Sequence, residues 1–357
     1  MTELRDDPSM LEDVWIQVLL IFTIIAGLFC VNFFIDLLVV RSGGEPARRA
    51  STQGSGSSSG RQRIVDAAAS PGSDFSDLAS AIASASDGDV LSLKPGTYRA
   101  GVAISKSITL TGAGGSPDDV VLSGAGSRAL AVAGGRVSIG HLTISQSGSG
   151  DAVAVGGGSL SLMDARVKSS GDGLRVVDAD LEIGDSRIEA RTGVLAEGKS
   201  RARILRSRID AESAAVNASG LGTELRLERA ELRGRVGPTI DAGRFAKLVI
   251  QESSLSHGGV AAIRATSGAE VTVSASTLSD IQGCAVVIDR GIVFLDGDQI
   301  RRVECGIAFH APGSLRVVDS RFSDLAGPGL RMKREFEKDV ILSGSGNTGI
   351  DLYIASR

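Results

Sequence analysis

Arginine recurs in this chain at a fixed spacing, with Arg166, Arg187 and Arg208 each 21 residues apart. A guanidinium is a planar fork of donors that matches carboxylates and phosphates. Stacked in this way, the three would grip an anionic polymer or a phosphate-bearing glycan, with Arg203, Arg206, Arg226 and Arg229 near by. The same stretch carries Asp164, Glu182, Asp185, Glu228 and Glu231, and such interleaving also describes an ordinary solvated face. Cys284 and Cys305 repeat the 21-residue spacing. If that spacing is one structural turn they are neighbours, and a disulfide needs their Cα atoms within about 7 Å. Two small buried apolar residues are the alternative. Cys30 is the third cysteine, and three cysteines offer no metal-ligand spacing, so no metal or cofactor is expected. Asp296 and Asp298 are candidates for a cation, although Gly297 between them reads as a plain turn.

Glycoside hydrolysis needs two carboxylates at one site. The Asp-Asp pairs are Asp6-Asp7, in an acidic tail, and Asp118-Asp119, far in sequence from His257. His141, His257 and His310 share no position of the chain's repeating pattern, so they read as surface or turn histidines and no catalytic residue is assigned. Sugar-binding grooves stack rings on aromatic side chains. Trp15 lies in an apolar run near the N-terminus, and Tyr98 and Tyr353 stand near opposite ends of the remaining chain, which weighs against saccharide processing.

These residues must be positioned by a repeat. From about Val137 onward the pattern apolar-x-apolar-x-x-small-x-apolar recurs every 21 to 23 residues. Copies begin at Val137, Leu160, Leu181, Ala202, Leu225, Leu248, Val271, Val293 and Leu315. Such self-similarity signals a solenoid. Within each copy apolar and polar residues alternate, the period of a strand. A second alternation begins two residues later, as in Ser186-Arg187-Ile188, and a third precedes several copies, as in Leu174-Arg175-Val176-Val177. Three short strands per turn, with no room for a helix, give a parallel β-helix. Small residues at the sixth position (Ala165, Ser186, Ser207, Ala230, Ser253, Ser276, Ser320) would stack turn on turn. With parallel strands spaced about 4.8 Å, roughly ten turns make a rod on the order of 50 Å long. The composition agrees: 46 Gly and only 4% aromatic residues suit a thin aliphatic core behind many tight corners.

Ahead of the repeat, Phe75, Leu78 and Ile82 fall on one helical face. Then come Gly88-Asp89-Val90-Leu91-Ser92-Leu93-Lys94-Pro95-Gly96-Thr97-Tyr98 and Ile104-Ser105-Lys106-Ser107-Ile108-Thr109-Leu110-Thr111-Gly112. This resembles the N-terminal cap of the pectin-lyase-like superfamily of right-handed β-helices, over residues 73–357. The resemblance implies an all-β, single-stranded, right-handed parallel β-helix with an N-terminal capping helix. It leaves activity open, because the superfamily holds lyases, hydrolases, esterases, epimerases and non-enzymes. The Gly-His-Gly and Arg-x-Lys motifs of polygalacturonases are matched only partly, by Ser256-His257-Gly258-Gly259 and Arg331-Met332-Lys333, without their Asn-x-Asp segment. Pectinesterase motifs are absent.

Residues 14–40 are apolar enough for one transmembrane helix, since about 20 such residues span a bilayer. Residues 1–13 form an acidic tail carrying the whole formal charge of −4, so the remainder is balanced and nucleic acid is not an expected partner. Residues 41–72, rich in Gly, Ser and Arg, read as a flexible linker. Arg41, Arg48, Arg49, Arg61 and Arg63 after the helix, against Arg5 before it, favour a cytoplasmic rod. The family resemblance favours an extracytoplasmic one, and that placement is adopted. The segment DVWIQVLLIF starting at Asp13 also resembles the helix entry of TolR/ExbD and MotB-type proton-channel subunits. That likeness would make Asp13 a proton carrier inside a multi-pass membrane partner. The leading expectation is a membrane-anchored, non-enzymatic rod that binds an anionic glycan or envelope polymer. A motor subunit comes second and a polysaccharide-active enzyme third.

Overall fold

The computed structural model describes residues 60–344, 346–350 and 352–355. Over these residues the chain winds as a right-handed parallel β-solenoid with three faces. One turn shows the plan: Asp180–Gly184 on the first face, Arg187–Ala190 on the second and Thr192–Glu197 on the third. Leu181 and Ile183 point inward and are buried while Glu182 points out, as the alternation requires. Each inward residue stacks on its equivalent one turn away, so Leu160, Leu181, Ala202, Leu225 and Leu248 form one column. The first face is a 13-stranded parallel sheet. The second and third faces merge because Thr277–Asp289 and Gln299–Ala311 each run across both as one strand.

The corner from first to second face is built from two residues. The first adopts positive φ: Asp185 at 49°, Arg206 at 43°, Arg229 at 52°, Glu252 at 48°. The second is the small sixth-position residue, turned inward. Its hydroxyl links two turns. Ser186 Oγ accepts from Ala165 N, and Ser207 Oγ from Ser186 N, each at 3.1 Å. Ser253 Oγ accepts from Ala230 N and Ser276 Oγ from Ser253 N, again at 3.1 Å. Each serine donates its own proton to a carbonyl two residues back, as Ser186 does to Gly184 at 2.7 Å. The column satisfies N–H groups that a sheet ladder would leave unpaired at a bend.

Two expectations need correction at the N-terminal end. The linker read over 41–72 gives way to structure earlier, because Gln62–Val65 pairs in parallel with Val90–Leu93. Four residues among Arg and Gly are too short an alternation to stand out. Phe75 is not part of the helix. Asp77 caps that helix by accepting from Ser80 N at 2.8 Å, and the helical residues are Leu78–Ser84, with Leu78, Ala81 and Ile82 buried. Among the described residues no helix is long and apolar enough to cross a membrane. Residues 14–40, Asp13 and the rest of the acidic tail lie outside the described residues.

Asp298 takes a serine's place in the corner column. It is 1% exposed, and its carboxylate accepts from Ser276 N at 2.8 Å and Asp296 N at 3.0 Å. Burial outweighs those two donors and pushes its pKa up to about 7, with Asp296 adding to the rise. A raised carboxyl pKa in the folded state favours folding at low pH, and that contribution is lost as pH climbs from the ordinary 3.8 through 7. Asp298→Ser restores the hydroxyl pattern of its neighbours and removes the ionisation. The variant is expected to gain on the order of 2–4 kcal/mol relative to the parent between pH 4 and pH 8. Denaturant unfolding at both pH values measures this, and parallel profiles for the two proteins would refute it.

Candidate functional site

The second face carries two outward columns. Thr143, Arg166, Arg187, Arg208 and Glu231 are register partners in the first. Ser145, Lys168, Glu189, Asp210, Arg233 and Ser256 form the second. The arginine ladder therefore exists, but each rung has an acid. Arg166 pairs with Asp118. Arg187 lies 2.7 Å from Glu189 and 3.4 Å from Asp210. Arg208 lies 2.8 Å from Asp210 and 3.2 Å from Glu231. The hydrogen bond to Asp210 raises the Arg208 pKa. Asp118 titrates low, first through the Thr143 hydroxyl and then through Arg166. Arg203 and Arg226 do not join this ladder. They are register partners on the first face, where both reach Glu228, at 3.6 and 2.6 Å.

Between the two columns and the corner beyond them runs an open groove of about 830 Å³. Arg187, Glu189, Arg208, Asp210 and Arg233 line it, with His257 at one end. Glu189 and Asp210 are register partners in successive turns, so their Cα atoms are about 5 Å apart. One guanidinium, that of Arg187, touches both. Two buried atoms in the groove wall, Gln146 Oε1 and Arg233 Nε, have no hydrogen-bond partner among the described residues. Buried polar atoms are normally paired, and orphans call for a water or a ligand. The sequence reading missed Glu189, Asp210, Lys168 and Arg233 as a set. Their signal was present, since each stands two residues after a rung of the ladder (Arg166-Val167-Lys168, Arg187-Ile188-Glu189, Arg208-Ile209-Asp210, Glu231-Leu232-Arg233).

The other candidates fall elsewhere. His141 occupies a corner at φ 54°, bonded to Asp164 at 2.6 Å and to the Gly114 carbonyl at 3.1 Å, and the Asp164 contact raises its pKa. His257, Asp280, Arg302 and Asp324 stack at positive φ on the corner from second to third face. Arg302 grips Asp280 through two hydrogen bonds, of 2.6 and 2.8 Å, and holds that carboxyl well below its usual range. Asp296 and Asp298 form a turn with the second carboxylate buried, not an open cation seat. No cluster of three or more His, Cys, Asp or Glu suited to a metal occurs among the described residues. Cys284 and Cys305 are register partners with Cα atoms 4.4 Å apart, joined as a disulfide. Arg331 directs Nη2 at both sulfurs, at 3.1 and 3.2 Å. Its partial motif therefore serves the cysteine pair on the third face.

No protein-family model matches the sequence, and no curated protein does. Solved structures do match the fold. The A-module of the Azotobacter vinelandii mannuronan C-5 epimerase AlgE6 superposes with a TM-score of 0.64 at 15% identity, covering 77% of this chain and 90% of its own. Pectate lyase Pel9A gives 0.54 at 12%, covering 84% and 82%. The catalytic unit of a GH87 α-1,3-glucanase from Streptomyces thermodiastaticus gives 0.51 at 14%, covering 87% and 72%. The expectation of a non-enzymatic scaffold is corrected here, because these neighbours are enzymes named for the polysaccharides they act on. The likeness of the Asp13 segment to proton-channel subunits gains no support from them. What the chain shares with these proteins, at such identities, is the fold: a right-handed β-helix of pectin-lyase-like form.

Proposed function

We propose that the protein is a polysaccharide-active enzyme whose substrate is an anionic glycan lying across the second face. One observation carries this reading: a pair of carboxylates, Glu189 and Asp210, set between guanidinium groups in an open groove. Arginine forks suit the acid groups of the polymer. When such a group arrives, it competes with Glu189 and Asp210 for Arg187 and Arg208. The displaced carboxylate is then free to take or deliver a proton at the sugar, and two carboxylates are what glycosidic cleavage requires. The names of two structural neighbours, a mannuronan epimerase and a pectate lyase, support an acidic polysaccharide, and that of the glucanase supports a polysaccharide only. Residues 14–40 support a membrane anchor, and an oxidised Cys284–Cys305 pair supports a rod outside the cytoplasm.

Two experiments test this reading. Replacing Arg166, Arg187 and Arg208 together by Gln is expected to weaken binding of an anionic polysaccharide at least about tenfold at low salt, where charge is little screened. Unchanged affinity would remove the ladder from the site. The full-length protein should release products from some member of a panel of anionic polysaccharides. Glu189→Gln and Asp210→Asn should each lower that rate by about 100-fold or more while the circular dichroism spectrum stays the same. Full activity in both variants discards the carboxylate pair, and no turnover of any polymer by the unaltered protein discards the enzyme.

A further inference from the structure

The corner from third to first face is where the chain departs from its own rule. In two turns this corner uses consecutive positive-φ residues ending in glycine: Gly157–Gly158 at 116° and 71°, and Ser267–Gly268 at 51° and 78°. A pair of this kind favours glycine, which has no side chain to crowd the left-handed conformation. In the turn just before Ser267–Gly268 the pair is Arg244–Phe245, at 49° and 64°. A bulky ring at positive φ is an outlier that the surrounding structure must hold in place. Burial does not compensate for it, because Phe245 is 59% exposed.

The ring has a built seat. A Cβ placed on Gly268 would lie 2.5 Å from two adjacent carbons of the Phe245 ring, so one edge of the ring lies against the glycine backbone. That edge is packed, and most of the ring is open to solvent. One turn earlier Leu221 is 77% exposed, and Gly220 N donates to the Arg244 carbonyl at 3.2 Å. The stem of Lys199 passes 3.4 Å from where a side chain on Gly222 would begin. Lys199 and Arg244 are both exposed, and neither forms an ion pair with a described carboxylate. Arg201 and Lys247, just beyond the same corner, do pair, with Glu224 and Glu270. The apolar surface spans only two turns, about 5 Å of rod. That is far below the roughly 800 Å² per partner of a protein interface, and it matches one sugar ring.

We infer that Phe245 is a stacking platform for a pyranose ring bearing a carboxylate, forming a glycan-binding site separate from the second-face groove. The apolar C–H face of the sugar meets the electron-rich ring face, and Lys199 and Arg244 take the acid group. The ligand class rests on the reading of the protein as active on an anionic glycan; the platform itself rests on the strained, exposed ring.

Phe245→Gly tests it, since it installs the residue that the neighbouring turns use. In the full-length protein the thermal midpoint should stay level or rise by a few degrees. Affinity for polygalacturonate, measured by calorimetry at fixed salt, should fall by roughly two- to tenfold, the scale of one aromatic contact. Phe245→Tyr should keep the affinity of the parent. Unchanged affinity in Phe245→Gly overturns the platform, and a lowered midpoint overturns the strain argument by making the ring a structural support. Lost self-association with unchanged polymer affinity would assign the ring to contact between copies and overturn the glycan site. No binding by the unaltered chain would remove the ligand class. In Arg187→Gln/Arg208→Gln, a residual affinity that still depends on Phe245 would separate this site from the groove, whereas loss of all affinity would overturn its independence.

Discussion

At the corner from first to second face, backbone N–H groups turn inward where no strand lies alongside, and side-chain oxygens of the next turn accept from most of them. Serine meets the need with one oxygen. It accepts from the turn before and donates to its own strand, so the bend becomes another rung of the ladder. Because that oxygen must sit at one height, it also fixes the register of the strands on either side. The aliphatic columns of the core are aligned by these polar atoms as much as by their own packing.

Fixed register has an electrostatic consequence. Outward residues stack at the strand spacing of about 5 Å, so like charges in successive turns repel strongly unless an acid intervenes. The corner pairs Asp185 with Arg206 and Arg229 with Glu252 show the same solution as the groove, each matched to the next turn at 2.7 Å. The arginine ladder is stable because it is neutralised, and it becomes a binding site only through a ligand able to displace the protein's own acids. A glycan dense in acid groups meets that condition better than a single small anion.

The fold was legible because its signal is local and repeated. Alternation in Leu181-Glu182-Ile183 and a small residue three positions later recur often enough to stand out, and they define strand and corner at once. The site was less legible because it is read across turns. Arg203 and Arg208 are five residues apart yet on different faces, so sequence proximity wrongly grouped Arg203 and Arg226 with the ladder. Glu189 and Asp210 are 21 residues apart yet adjacent, and reading acids only as a foil to the arginines hid the pair. Phe245 carries no motif of its own, and only the glycine of neighbouring turns at the same corner marks it as out of place. Asp298 looked like half of a cation site, and only its burial shows that it replaces a serine.

The bond between Cys284 and Cys305 gives the rod a mechanical asymmetry. A solenoid held by nearest-neighbour contacts unravels from its ends, one turn at a time. Tension applied at the C-terminus would peel away the turns after Cys305 in sequence, each yielding about the same force. At the cysteine pair peeling meets a covalent link between two successive turns, and the chain between them can no longer lengthen. The turns after Cys305 thus lengthen one by one, and the next step skips a turn, because the load passes through the bond straight to Cys284.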